Sequence, residues 1–209
     1  MAPATRIGPA IAYRCRGETH LNLSNRCPGR CGFCLRRVHG MFFGNRDMGL
    51  GAREPNAKAV LSAIEDEGGP GKALVFSGYG EPTYRAKVLV EVGREAAHRW
   101  PGVPRRLETI GLGNRLNGRD IVPALLGSVD EVWVSLDAAD PSSWLEFHDP
   151  WDAFRRRGFE DSLNFIRACV ARKIPTIVTA VDLPKNDWTR VARLAQTLGA
   201  DFKLRPLMA

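Results

Sequence analysis

The sequence predicts an α/β fold: a parallel, curved sheet of six strands with helices outside it, forming a partial (βα)6 barrel over a single domain, 1–209. Three observations carry this expectation. Short apolar runs of strand type alternate with segments whose apolar residues repeat at helical spacing, the pattern of a parallel sheet. Six such units fall short of the eight in a closed barrel, and the length is below the roughly 250 residues typical of one. Several of the strand-type runs end in loops rich in Gly, Asn or Asp, at the carboxyl ends where such sheets bind ligands.

Residues 1–18 are read as an N-terminal extension available as a lid. The first strand is His20–Ser24, whose period-two alternation runs straight into "CPGRCGFC". A Gly-rich polar stretch, 44–55, follows. "NAKAVLSAIEDE" then places Ala59, Val60, Ala63 and Ile64 on one helix face, and the Gly68-Gly69-Pro70-Gly71 breaker stops it. Ala73–Phe76 form a second strand, ending in "SGYGEP". Residues 84–99 are helical in pattern, closed by Trp100-Pro101-Gly102. "RRLETIGLGN" supplies the third strand and a Gly/Asn loop, and a helix near 119–126 leads to "DEVWVSLDA", the fourth strand, rich in β-formers. A short helix at 142–148 and a longer one at 159–172 precede "IPTIVTAVDLP", the fifth strand. Asn186 or Asp187 caps a helix that ends at Gly199, and "DFKLRPL" closes the sheet.

An apolar fraction of 44% and a charged fraction of 25% are those of an ordinary globular protein. No apolar h-region opens the sequence and no run approaches the roughly 18 residues of a membrane span, so a cytoplasmic protein is expected. The net charge is +7. Arginines cluster at Arg36-Arg37, Arg105-Arg106 and Arg155-Arg156-Arg157. Such clusters read as solvated faces or as contacts for an anionic cofactor, substrate or nucleic acid.

Five cysteines are an odd number and are not spaced as a disulfide framework. Cys15 and Cys169 stand apart and read as structural thiols. Cys27, Cys31 and Cys34 fall within eight residues, with Pro28, Gly29 and Gly32 permitting a tight loop. A structural zinc site closes with four ligands. Here only Cys15, His20 or His39 offers a fourth. Three thiolates suit three irons of a [4Fe–4S] cube and leave the fourth open for chemistry.

The spacing CxxxCxΦC, with Phe33 as the aromatic, resembles the hallmark of the radical S-adenosylmethionine (SAM) superfamily. That resemblance implies a [4Fe–4S] cluster on Cys27, Cys31 and Cys34, with SAM on the fourth iron. It also implies reductive cleavage of SAM to methionine and a 5′-deoxyadenosyl radical that abstracts hydrogen from a substrate. Gly78-Tyr79-Gly80-Glu81-Pro82 resembles the family's GGEP motif, which receives the methionyl ammonium, with Tyr79 at a position often held by glycine. A carboxylate and exposed carbonyls suit an ammonium. The resemblance further implies SAM contacts at Phe33, Ser135, Asp137, Thr179, Asn114 and Arg205, and Arg36, His148 and Trp151 are candidates for substrate or lid contacts.

Within the superfamily the sequence is most similar to the small radical SAM proteins associated with TatD-type hydrolases. Glycyl-radical-enzyme activases and carboxydeazaguanine synthases are the other compact members to weigh. An electron donor such as flavodoxin or ferredoxin is implied, together with an unidentified anionic or macromolecular substrate. A non-catalytic metal- or nucleic-acid-binding module is the competing class.

Overall fold

The computed structural model describes residues 9–207. Residues 1–8 of the proposed lid lie outside the described residues. Ala12–Cys15 (β1) and Glu18–Asn22 (β2) pair antiparallel as a hairpin, so the end of the expected extension is an edge strand of the sheet. Leu74–Ser77 (β5), Arg105–Thr109 (β6), Glu131–Ser135 (β7), Thr176–Val181 (β8) and Asp201–Arg205 (β9) continue from β2. These five run parallel to β2, and the sheet order is β1-β2-β5-β6-β7-β8-β9. The six expected strands are therefore β2 and β5 to β9, and β1 is the seventh. Phe42–Phe43 (β3) and Arg46–Asp47 (β4) form a separate two-stranded hairpin inside the long stretch after the cysteine loop.

Alternation along each strand sends one set of side chains to the helices and the other to the opposite face. Leu21, Leu74, Phe76, Leu107, Val132, Val134, Val178 and Ala180 pack into one apolar core with the helices. Ala57–Asp66 (α2) starts at Asn56, whose side chain accepts Ala59 N–H at 2.9 Å, and buries Val60, Leu61, Ala63 and Ile64. A 3-10 turn at Pro82–Arg85 leads into Ala86–Arg99 (α3), which buries Val88, Leu89, Val92 and Ala96. Gly158–Ala171 (α8) and Trp188–Thr197 (α9) cover the later strands, α9 being capped by Asp187. The helix expected near 119–126 is shorter, Val122–Leu125 (α5), and the Gly/Asn loop before it holds a further short helix, Gly113–Asn117 (α4). Gly118 in the left-handed region ends α4, and Pro123 stands in the first turn of α5, where its missing N–H costs nothing.

Leu35–His39 (α1) follows the cysteine loop. Pro141–His148 (α6) and Asp152–Arg155 (α7) fill the connection after β7. Asp140 caps α6 through Ser143 N–H at 3.0 Å, with Pro141 at the first turn, where a missing N–H costs nothing. No helix among the described residues is long and apolar enough to cross a membrane.

Candidate functional site

The end of β2 runs directly into the cysteine loop, and the end of β5 runs beside it. Glu81 N–H donates to Arg26 O at 2.8 Å, so the two strand ends are tied to each other. This contact explains Gly80: a Cβ there would lie 2.3 Å from Ser24 O and 2.7 Å from Arg26 O, inside the backbone of the approaching chain. Gly78, at φ +99°, makes the turn that brings this about. Cys27, Cys31, Cys34, Gly78, Tyr79 and Gly80 line one cavity of about 750 Å³, which Arg36, Tyr84 and Trp151 also border.

Tyr79 is turned away from that cavity. Its side chain is buried with Tyr13 and Met48, and its hydroxyl donates to Phe42 O at 2.5 Å. Its N–H donates to Asn22 Oδ1 at 3.2 Å. Only backbone is presented at this position, which is why a large residue stands where glycine was expected.

Glu81 is held by groups of the protein itself. The carboxylate is buried: Oε1 accepts Thr83 N–H at 3.0 Å, Thr83 Oγ1 at 2.5 Å and Thr109 Oγ1 at 2.8 Å, while Oε2 accepts Ile110 N–H at 2.9 Å. Burial pushes its pKa up, and these hydrogen bonds oppose the shift. The side chain joins the ends of β5 and β6. Asn114 is likewise engaged elsewhere, its Oδ1 accepting Ile121 N–H at 2.9 Å on the helix side.

The end of β7 carries a second polar group. Arg205 Nη2 donates to Ser135 Oγ at 2.6 Å across the register pair Ser135–Thr179, and Thr179 O accepts Leu136 and Asp137 N–H. Asp137 is fully buried at φ +58°; its Oδ1 accepts Val181 N–H at 2.7 Å. Its Oδ2 has no hydrogen-bond partner and lies 3.6 Å from His148 Nε2.

His148 is no surface lid. Its imidazole is buried beneath Trp144, at 4.9 Å between rings, with Phe33 edge-on at 6.2 Å. Nε2 faces Leu136 O at 3.1 Å and Nδ1 faces Cys31 Sγ at 3.3 Å. Burial holds its pKa below the ordinary value, against the pull of Asp137. The hydrogen-bond network assigns the proton to Nε2, leaving Nδ1 to accept from the Cys31 thiol.

Residues 148–151 act as a strap on the cysteine loop, which the sequence pattern did not reveal. Arg30 N–H donates to His148 O at 2.8 Å, and Trp151 N–H to Pro28 O at 2.9 Å. The Trp151 indole N–H donates to Cys27 O at 3.0 Å, which gives this half-exposed ring a bracing role in addition to lining the cavity. Arg30 pairs with both oxygens of Asp149, at 2.9 and 3.0 Å, while stacking on Trp151 at 4.4 Å. Gly29 fits beneath this strap because a Cβ would lie 2.9 Å from His148 O.

The donor set fits an iron–sulfur cluster. Burial pushes the Cys27 thiol up to about 12 and the Cys31 thiol well above its ordinary value, each raised further by a neighbouring cysteine of the loop. Such thiols stay protonated until a cation displaces the proton. Among the described residues no three His, Cys, Asp or Glu side chains converge on a point where a single ion would sit. A cube that places three thiols on three separate irons makes no such demand.

The profile of the Radical SAM superfamily matches residues 21–198. Among solved structures, Streptococcus suis SuiB bound to S-adenosylmethionine superposes with a TM-score of 0.61 at 16% identity, over 89% of this chain and 39% of that one. Methylornithine synthase (PylB) gives 0.59 at 13% identity, over 90% and 52%. TsrM from Kitasatospora setae, a methyltransferase solved with cobalamin and a [4Fe–4S] cluster, gives 0.51 at 17% identity, over 86% and 35%. These likenesses are of fold, and the chain spans only 35–52% of those proteins. No curated protein matches the sequence.

Proposed function

We propose, for a chain that belongs to the radical SAM superfamily, that Cys27, Cys31 and Cys34 each hold one iron of a [4Fe–4S] cluster and leave the fourth to SAM. The cofactors are that cluster and SAM, and together they supply reductive cleavage of SAM to methionine and a 5′-deoxyadenosyl radical that abstracts hydrogen from a substrate. The observation that carries the reading is that all three loop thiols and the Gly78–Gly80 backbone line one cavity.

The chain's own residues bind and orient. Backbone carbonyls of residues 78–80 and Pro82's turn serve the methionyl ammonium, with Glu81 fixing them from behind. Phe33, Ser135, Asp137, Thr179 and Arg205 border the nucleoside side, and Arg36, whose Nη1 donates to Asn25 O at 2.7 Å, closes the cavity rim. The His148 carbonyl, which accepts Arg30 N–H, and the Trp151 indole, which donates to Cys27 O, hold the cysteine loop in shape. Curvature of the sheet into a partial (βα)6 barrel would shield this site from water, as radical chemistry requires.

The finer assignment follows the motif resemblance: a cytoplasmic member akin to the TatD-associated proteins, reduced by a flavodoxin or ferredoxin and functionally linked to a TatD-type hydrolase. Anaerobic reconstitution tests the core of the proposal. About four irons and about four sulfides per chain are expected, and SAM with a chemical reductant should yield 5′-deoxyadenosine. A fully loaded cluster that never yields this product overturns the enzymatic reading, and stoichiometric zinc in place of iron supports a binding module.

A further inference from the structure

The face of the sheet opposite the helices is densely charged, and its charges are unequally paired. Arg106, which belongs to a cluster the sequence could assign to a solvated surface, is only 8% exposed. Its guanidinium meets three carboxylates: Glu18 at 2.6 Å, Glu108 at 3.0 Å and Glu131 at 3.7 Å. Lys203 and Arg205 are further cations of this face, two residues apart on β9, so their side chains leave the strand on the same side. Among the described residues neither forms an ion pair with a carboxylate. Lys203 acts on Glu18 only through space.

Among the described residues two buried donors here lack acceptors, beside an exposed cation. Lys203 Nζ lies 4.3 Å from the centre of the Trp133 ring, which Arg106 also approaches at 4.3 Å, so the indole stands between the two cations. Trp133 Nε1–H is buried with no partner. Arg205 gives one N–H to Ser135 Oγ, while its Nε–H is buried and unpartnered. Buried donors are almost always hydrogen-bonded, and each left bare costs about 1–3 kcal/mol. Desolvated donors beside unpaired cations suit a ligand that brings acceptors and negative charge.

We propose that Lys203, Arg205 and Trp133 form the recognition site for an anionic group of the substrate, a carboxylate or a phosphate. The assignment rests on the reading of this chain as a SAM-cleaving enzyme, and it adds the substrate's chemical class. Position supports it. Ser135 and Arg205 border the proposed SAM site; Lys203 is in register with Ser135 through Thr179, and Trp133 lies two residues before Ser135 on the same face. A substrate anchored there would lie beside the proposed SAM site. The carboxylates gathered on Arg106 set the opposite sign at the far side of Trp133 and so give the site direction.

The test uses the oxidised holoprotein labelled with 15N and observes the indole N–H resonance of Trp133, identified by its absence in Trp133→Phe. Titration with inorganic phosphate and, separately, acetate should move this resonance saturably, and the movement should be lost in Lys203→Met and weakened in Arg205→Met. A response to phosphate alone or to acetate alone supports the site and selects between the two sources of charge. No response to either anion, or a response that persists unchanged in Lys203→Met, overturns it. If the protein never forms 5′-deoxyadenosine, the enzymatic reading fails while the titration still stands; if SAM is cleaved but the resonance is unmoved by both anions, only the anion site fails.

Discussion

Glu81→Gln separates two roles for the GEP carboxylate: a direct ligand of the methionyl ammonium, or an internal brace. In the structure the two oxygens accept four donors, three on Oε1 and one on Oε2. A glutamine amide keeps one acceptor. Its best placement sets the carbonyl oxygen toward Thr83 and Thr109 and turns the NH2 toward Ile110 N–H. That loses one hydrogen bond and leaves one buried backbone donor facing another, a cost of about 1–3 kcal/mol. For a chain of this length each kcal/mol lowers Tm by roughly 2–4 °C, so the variant should melt about 2–12 °C lower. Differential scanning calorimetry of the cluster-free protein, free of SAM, isolates this effect. If Tm is unchanged while SAM affinity collapses, the carboxylate faces the ligand and the brace is wrong.

Three further outcomes follow from the same contacts. Gly80→Ala forces a Cβ to 2.3 Å from Ser24 O, so the loop must move; iron and sulfide content after reconstitution should fall to background although far-UV circular dichroism stays near wild type, and a normal cluster in this variant would refute the close approach. Trp151→Phe keeps the ring under Arg30 but removes the N–H that Cys27 O accepts; at about 0.5–1.5 kcal/mol for one such bond, chelator-driven bleaching should quicken up to roughly tenfold, and an unchanged rate would show that the strap does not hold the loop. Asp140 caps α6, and its hydrogen bonds to Ser142 and Ser143 depress its pKa from 3.8 to about 2. A depressed carboxyl stabilises the fold above its unfolded value and loses that contribution as pH falls through its folded value. The α6 cap should therefore fail between pH 3.8 and about 2, read as faster amide exchange at Ser143, and Asp140→Ala should show the fast exchange already at neutral pH.

The parallel order of strands was legible because strand-type runs bounded by breakers are local signals, and five of the six expected strands overlap their observed spans closely. The edge strand Ala12–Cys15 was hidden because its stability comes from pairing with Glu18–Asn22 through a tight turn at Arg16-Gly17, and "AYRC" alone has too little pattern to announce it. Charge misled at Arg106. An arginine beside another arginine suggests a surface, yet β-alternation gives the pair opposite environments: Arg105 reaches the exposed Asp130, and Arg106 turns inward to three carboxylates spread over 113 residues of chain, Glu18 to Glu131.

The same distinction runs through the site. Cys27, Cys31 and Cys34 could be read from their spacing because one loop must bring them together. What braces that loop is far away in sequence: Asp149 reaches Arg30 across 119 residues and Trp151 reaches Cys27 across 124. A single connection, 136–151, supplies Leu136 O and Asp137 to one side of His148 and the strap to the cysteines on the other. The end of β7, proposed to border SAM, and the loop proposed to carry the cluster are therefore joined through one buried imidazole. Packed groups rather than solvent lie between the two, and substitutions of Trp144, whose ring covers His148, should disturb both the cysteine loop and the Ser135–Arg205 pair.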